Sequence, residues 1–176
     1  MICINFAYRG RLDPEKWVDQ IVESIRQCIY DYRQTHYHFH IDIWWNGSLE
    51  EIVKELASSH PDIVNYHGYV PNQELRKQIW HIHYLLMPST FLETFGLVGL
   101  EACSMGIPVI WYARWWLKQF ILPDYDCSHS DVYRVIQKCI VNFEYQQRIE
   151  ASIQSKNISM QYSPSIRYNQ FIDYIT

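Results

Sequence analysis

Apolar positions recur with two different periods along the chain, and the switches between them predict a repeat of strand and helix. Ile2 to Ala7 is an apolar run that reads as a strand, followed by Tyr8-Arg9-Gly10-Arg11-Leu12 as a loop with two arginines. Asp13 is a good helix cap and Pro14 fits the first helical position. Val18, Ile21, Val22, Ile25, Cys28, Ile29 and Tyr32 then repeat at helical spacing. Phe39, Ile41 and Ile43 alternate with His40, Asp42 and Trp44, which predicts a second strand. Asn46-Gly47 makes a turn, Ser48 with Glu51 forms a capping box, and Leu49, Ile52, Val53 and Leu56 give a second helix its apolar face. Ile63 to Tyr66 is a third strand, and His67-Gly68-Tyr69-Val70 leads to a third helix running from Pro71 and Asn72 through Leu75 and Ile79.

The stretch from Leu85 to Ile110 carries the densest pattern. Leu85-Leu86-Met87, ended by Pro88, and Ile107 to Trp111 read as buried strands, with a short helix between Gly96 and Gly106. A right-handed crossover is expected for such a unit. Phe120 to Leu122 reads as a last short strand, and helices follow over Ser128 to Phe143, Tyr145 to Ser155 and Pro164 to Ile175. The whole predicts one α/β domain over residues 1–176, a doubly wound, Rossmann-like parallel sheet of about six strands with helices on both faces.

Composition sharpens this reading. Aromatic residues are 16% and charged residues 19% of the chain, which argues for a folded globule. The net charge of −4 gives no general pull toward nucleic acid or anionic membrane. Cys3, Cys28, Cys103, Cys127 and Cys139 have no metal-type spacing and read as reduced, buried thiols of a cytoplasmic protein. No signal peptide is visible, and the uncharged stretch Ala102 to Ala113 is short of the roughly 20 residues that span a bilayer. Peripheral membrane association stays open.

Candidate chemistry centres on Glu93 and Glu101. Glu93 falls in the loop after a strand's carboxyl end, where open parallel sheets bind ligands. Glu101 lies on the helix that follows and leans back toward that loop. Between them the helix start offers free N–H groups to an anion, and Gly96 has no Cβ to obstruct a ligand. Carboxylates suit sugar hydroxyls, so a ligand with both features is a nucleotide sugar. The plainer alternative makes Glu93 a dipole cap and Glu101 a solvated surface residue. His36, His38 and His40 share one strand face, but no cysteine or acid completes a metal-ligand spacing, and they read as polar residues at a strand entrance.

The string Glu93-Thr94-Phe95-Gly96, the seven residues between Glu93 and Glu101, and then Ala102 and Gly106-Ile107-Pro108-Val109 resemble the signature of retaining glycosyltransferases of the GT-B fold. The subgroup is the family 4-like one of group 1, with its E-x7-E motif. Gly10-Arg11-Leu12 with Pro14-Glu15-Lys16 is similar to the first carboxyl-domain motif of that family. By this resemblance Arg11 and Lys16, and not Arg9, hold the donor diphosphate. Glu93 would bind the donor sugar, Glu101 the ribose diol, Thr94 to Leu97 the donor, and the turn at Tyr69 and Val70 would lie along the nucleobase. Lys16 in the first turn of a helix is locally unfavourable, which itself suggests a nearby anion. Two departures stand out: Trp17, where the family usually has glycine, and Trp111 to Trp116, where it has a threonine and a glycine-rich turn. Trp115 and Trp116 could stack on sugar or serve as core, and Arg114 could supplement Arg11.

The resemblance implies a metal-independent hexosyltransferase domain, with no cofactor beyond a UDP-, GDP- or ADP-sugar donor. It corresponds to the carboxyl-terminal, donor-binding half of such an enzyme. An amino-terminal domain, absent from this chain, would present a sugar, lipid-linked or protein acceptor, and without it the isolated chain is expected to be inactive. Alternatives are a non-catalytic nucleotide-sugar-binding module, a GT-B-type nucleotide-sugar epimerase, and, least favoured, a glycosidase using Glu93 and Glu101.

Overall fold

A computed structural model describes residues 3–87, 96–112 and 121–163. Among these residues five parallel strands form one sheet: β1 (Cys3–Arg9), β2 (His38–Trp44), β3 (Val64–Gly68), β4 (Tyr84–Leu86) and β5 (Val109–Ile110), in the order β3-β2-β1-β4-β5. Chain order reverses between β1 and β4, so the crevice at their carboxyl ends is the place where a doubly wound sheet receives a ligand. The doubly wound α/β class is as expected. Beyond β5 the described residues add one parallel bridge between Trp111 and Asp126, and of the last expected strand Ile121 and Leu122 lead instead into a 3-10 turn at Pro123–Tyr125.

Among the described residues, four helices join the strands, α1 (Val18–Tyr32), α2 (Glu50–Ser59), α3 (Asn72–Gln78) and α4 (Leu97–Ser104), and α5 (Val132–Val141) and α6 (Tyr145–Met160) follow β5. The apolar stripe of α1 buries Val18, Ile21, Val22, Ile25 and Ile29. Each such side chain contributes about 1.5–3 kcal/mol on removal from water. Helix α1 packs against α5 and α2, and α4 packs against α6. Asp131 caps α5 by accepting from Arg134 N at 2.7 Å. The core runs through Phe6, Ile41, Ile43, Leu86 and Ile110, all nearly inaccessible.

Several local expectations are corrected. β1 continues past Ala7 to Arg9, so Arg9 is a strand residue. The Asp-Pro pair does not start α1. Pro14–Lys16 is a 3-10 turn, Trp17 follows it in the left-handed region at φ 50°, and only then does α1 begin. Lys16 therefore lies before the helix and not in its first turn. The Ser48–Glu51 capping box does not form, because Ser48 is recruited by Asp13, whose Oδ1 accepts from Ser48 N and Oγ at 2.9 Å each. Helix α6 runs on to Met160 rather than ending at Ser155. Four cysteines are buried and in no disulfide, and burial raises their thiols, but Cys3 is exposed. The expected strand from Phe120, in part, and the whole helix from Pro164 lie outside the described residues.

Candidate functional site

The carboxyl edge of β1 is the floor of the site. Tyr8 donates its hydroxyl to Arg11 O at 2.9 Å, which folds the Gly10-Arg11 turn back on the strand. Leu12 is fully buried and strapped to the loop after β2, donating to Asn46 O at 3.2 Å and accepting from Leu49 N at 2.7 Å. A Cβ on Gly47 would come within 2.5 Å of Leu12 O, so only glycine allows the two loops to lie this close. Arg11 rises from this braced turn with its side chain more than half exposed, and donates to Asp13 Oδ2 at 2.9 Å and Glu15 Oε1 at 2.7 Å. Hydrogen bonds from the Ser48 backbone and side chain hold the Asp13 carboxyl below its usual range. Lys16 closes the same turn.

Trp17 shows why its position favours glycine. A left-handed backbone costs a residue with a Cβ about 1 kcal/mol or more, and the tryptophan accepts this while packing edge-on against Tyr112, ring centroids 4.6 Å apart.

Helix α4 opens at Gly96, φ 63°, and among the described residues no side chain caps its first N–H groups. Leu97 follows, exposed. One turn later Glu101 Oε2 accepts from Arg9 Nη1 at 2.5 Å, across 92 residues of sequence. Arg9, only 9% exposed, also donates through Nη2 to Asn72 Oδ1 at 2.5 Å, at the head of α3. Glu101 is thus neither a free surface acid nor isolated, and Arg9 is a residue that sequence reasoning missed. The apolar run ends at Ala7, which placed Arg9 in a loop. No local spacing signals its partners.

The turn carrying Tyr69 and Val70 leads directly into α3. Tyr69 is exposed and meets Trp45 edge-on at 4.8 Å. Trp45, like Trp17, is a non-glycine residue with a positive φ, 102°, and each follows the carboxyl end of a strand on this edge of the sheet. Glu93, Thr94 and Phe95, together with Arg114, Trp115 and Trp116, lie outside the described residues.

A second polar cluster lies under the β2–β3 side. Asp42 is 3% exposed. His67 Nε2 lies 2.6 Å from its Oδ1 and His81 Nε2 3.0 Å from its Oδ2, while His40 Nε2 stands 3.7 Å away. Burial pushes the Asp42 carboxyl up, but the three histidines around it, His67 and His81 in hydrogen-bond contact and His40 close by, outweigh it and hold the group well below the usual carboxylate range. The nearby Asp42 carboxylate raises His40 against the opposing effect of burial. His36, His38 and His40 do not act as a set. Among the described residues no group of three His, Cys, Asp or Glu is placed to hold a metal ion.

The sequence profile described as glycosyl transferases group 1 matches residues 4–115, and the chain belongs to that family. An uncharacterized 41.2 kDa protein in the cps region of Klebsiella pneumoniae is 34% identical over 107 residues, 61% of this chain and 27% of that protein. A glycogen synthase of Mycobacterium tuberculosis is 27% identical over 108 residues, 60% of this chain and 25% of the enzyme. The chain spans about a quarter of the length of these relatives. The crystal structure of the Anabaena protein HepE in complex with UDP-glucose superposes with a TM-score of 0.70 at 17% identity, covering 98% of this chain and 48% of that one, and shares the fold. No described helix is long and apolar enough to cross a membrane.

Proposed function

We propose that this chain is the donor-binding half of a retaining GT-B glycosyltransferase. It binds a nucleoside diphosphate sugar at the β1–β4 crevice, and with an acceptor-binding domain transfers the hexose to an acceptor hydroxyl. The observation that most supports this reading is Glu101, anchored by Arg9 one turn inside the Gly96-led start of α4. That arrangement puts an acceptor-only carboxylate for a ribose diol beside N–H donors for phosphate.

In this reading Glu101 accepts from the ribose hydroxyls, and Tyr69 and Val70 border the base. Gly96 and Leu97, with Thr94 and Phe95, form the phosphate and sugar side. Arg11 and Lys16 neutralise charge that develops on the leaving diphosphate, which a metal does in other enzymes. Glu93 orients the donor sugar at the anomeric carbon. The reacting oxygen and carbon meet, at about 3.5 Å, only when an acceptor domain closes over the crevice.

The test is transfer of radiolabel from UDP-, GDP- and ADP-hexoses to cell-extract acceptors, with the chain alone and with an amino-terminal domain from a relative supplied in trans. Transfer that depends on the supplied domain supports the reading. Robust transfer by the chain alone contradicts the division of labour, and free epimerised nucleotide sugar without acceptor contradicts the reaction.

A further inference from the structure

We propose that Arg9 is a positioning residue of the nucleotide site, joining Glu101 on α4 and the head of α3 into one preorganised wall against the ribose and base. This rests on the reading of Glu101 as the ribose ligand.

The guanidinium is committed at two of its three nitrogens to two different helices. Nη1 donates to Glu101 Oε2 and Nη2 to Asn72 Oδ1, each at 2.5 Å. Asn72 is the first residue of α3 and follows Pro71, directly after Tyr69 and Val70. One side chain therefore ties the base-side turn to the ribose-side carboxylate. The third nitrogen, Nε, is buried without a hydrogen-bond partner, and the stem lines a small apolar cavity with Ala7, Trp44, Val98 and Ala102. A buried charge with an orphaned N–H is a poor source of stability, since an apolar side chain of similar volume would fill this space without that desolvation cost. Its use is then geometric.

That use suits the chemistry of a diol. An ionised carboxylate offers about four lone-pair directions, and Arg9 takes one of them on Oε2. Glu101 keeps the capacity to accept from two neighbouring hydroxyls. At 30% side-chain exposure, Glu101 without Arg9 would be free to sample other rotamers, and nucleotide binding would have to order it. Arg9 orders it beforehand. With its head so engaged, Arg9 does not compete with Arg11 for phosphate.

Calorimetric titration of UDP, GDP and ADP, each beside its 2′-deoxy counterpart, tests the proposal in wild type, Arg9→Gln, Arg9→Lys, Asn72→Ala, Glu101→Gln and the Arg9→Gln/Glu101→Gln pair. The expected result is about a three- to tenfold loss of ribonucleotide affinity in Arg9→Gln with a much smaller loss for the 2′-deoxy form. No further loss is expected when Glu101 is already Gln, and Arg9→Lys should recover part of the discrimination. Equal losses for ribo and 2′-deoxy forms would mean a merely structural role and overturn the proposal. If Arg9→Gln does not fold by circular dichroism, the ribo/2′-deoxy ratio in Asn72→Ala and Arg9→Lys decides the matter: a lowered ratio supports the clamp and an unchanged one refutes it. Wild type that binds none of the nucleotides defeats the underlying functional reading. Binding with a ribose preference that Glu101→Gln leaves intact defeats the Glu101 assignment.

Discussion

Trp17 holds a left-handed backbone at φ 50° and presses its ring edge-on against Tyr112 at 4.6 Å, so backbone and side chain pull its stability in opposite directions. A helix interior ranks alanine above glycine, and this position should reverse the order. Trp17→Gly loses the ring contact and relieves the strain, whereas Trp17→Ala loses the contact and keeps the strain. Urea unfolding is expected to show both variants less stable than wild type, with Trp17→Ala below Trp17→Gly by about 1 kcal/mol. Equal stabilities would mean the αL conformation is not retained.

Asp42 and its histidines predict a pH signature. His40 is raised, so the stability it contributes is complete below the ordinary histidine value near pH 6.5 and is lost as pH rises through its folded value. His83 is lowered by burial and by the nearby charges of Arg148 and His81, so it costs stability as pH falls from the ordinary histidine value toward its folded value, a window below that of His40. Asp42 is lowered, so its contribution is present above about pH 4 and is lost as pH falls toward its folded value. Histidine ring NMR titration should place the His40 midpoint above that of His83. In Asp42→Asn the His40 midpoint should drop, and the acid limb of stability should flatten. A His40 midpoint unmoved by the substitution would contradict the cluster.

Arg11 and Lys16 are expected to report the second phosphate. Replacing both with Gln should remove most of the affinity difference between nucleoside diphosphate and monophosphate and flatten the salt dependence of binding. Because Glu15 already engages Arg11 at 2.7 Å, Glu15→Gln should strengthen diphosphate binding a few-fold. A weakening in Glu15→Gln, measured by the same titration, would mean Arg11 needs that carboxylate to hold its pose.

Features carried by local pattern were legible in the chain. The alternation from Phe39 to Trp44 is β2, the stripe from Val18 to Ile29 is α1, and Gly96 and Gly106 bracket α4 at φ 63° and 75°. Misreadings arose where a local signal lost to a tertiary partner. Asp13-Pro14 has the chemistry of a helix start, but Asp13 is spent on Ser48 and Trp17 turns left-handed before α1 begins. In the site, Glu101 stood out through its spacing from Glu93, while Arg9 did not, since its partners at Glu101 and Asn72 are 92 and 63 residues away. The sequence pattern puts His36, His38 and His40 on one strand face. The actual cluster draws His40, His67 and His81 from three elements onto Asp42, a grouping visible only once β2 and β3 pair.

The central claim, a ribonucleotide site built on Glu101, is tested most directly by titrating nucleoside diphosphates and their 2′-deoxy forms into wild type and Glu101→Ala. A carboxylate accepting from the ribose should contribute about 1.5–3 kcal/mol. The account predicts that wild type prefers the ribonucleotide and that Glu101→Ala loses most of this preference while keeping residual affinity through the phosphates. A Glu101→Ala variant that discriminates ribose from 2′-deoxyribose as well as wild type does would contradict it.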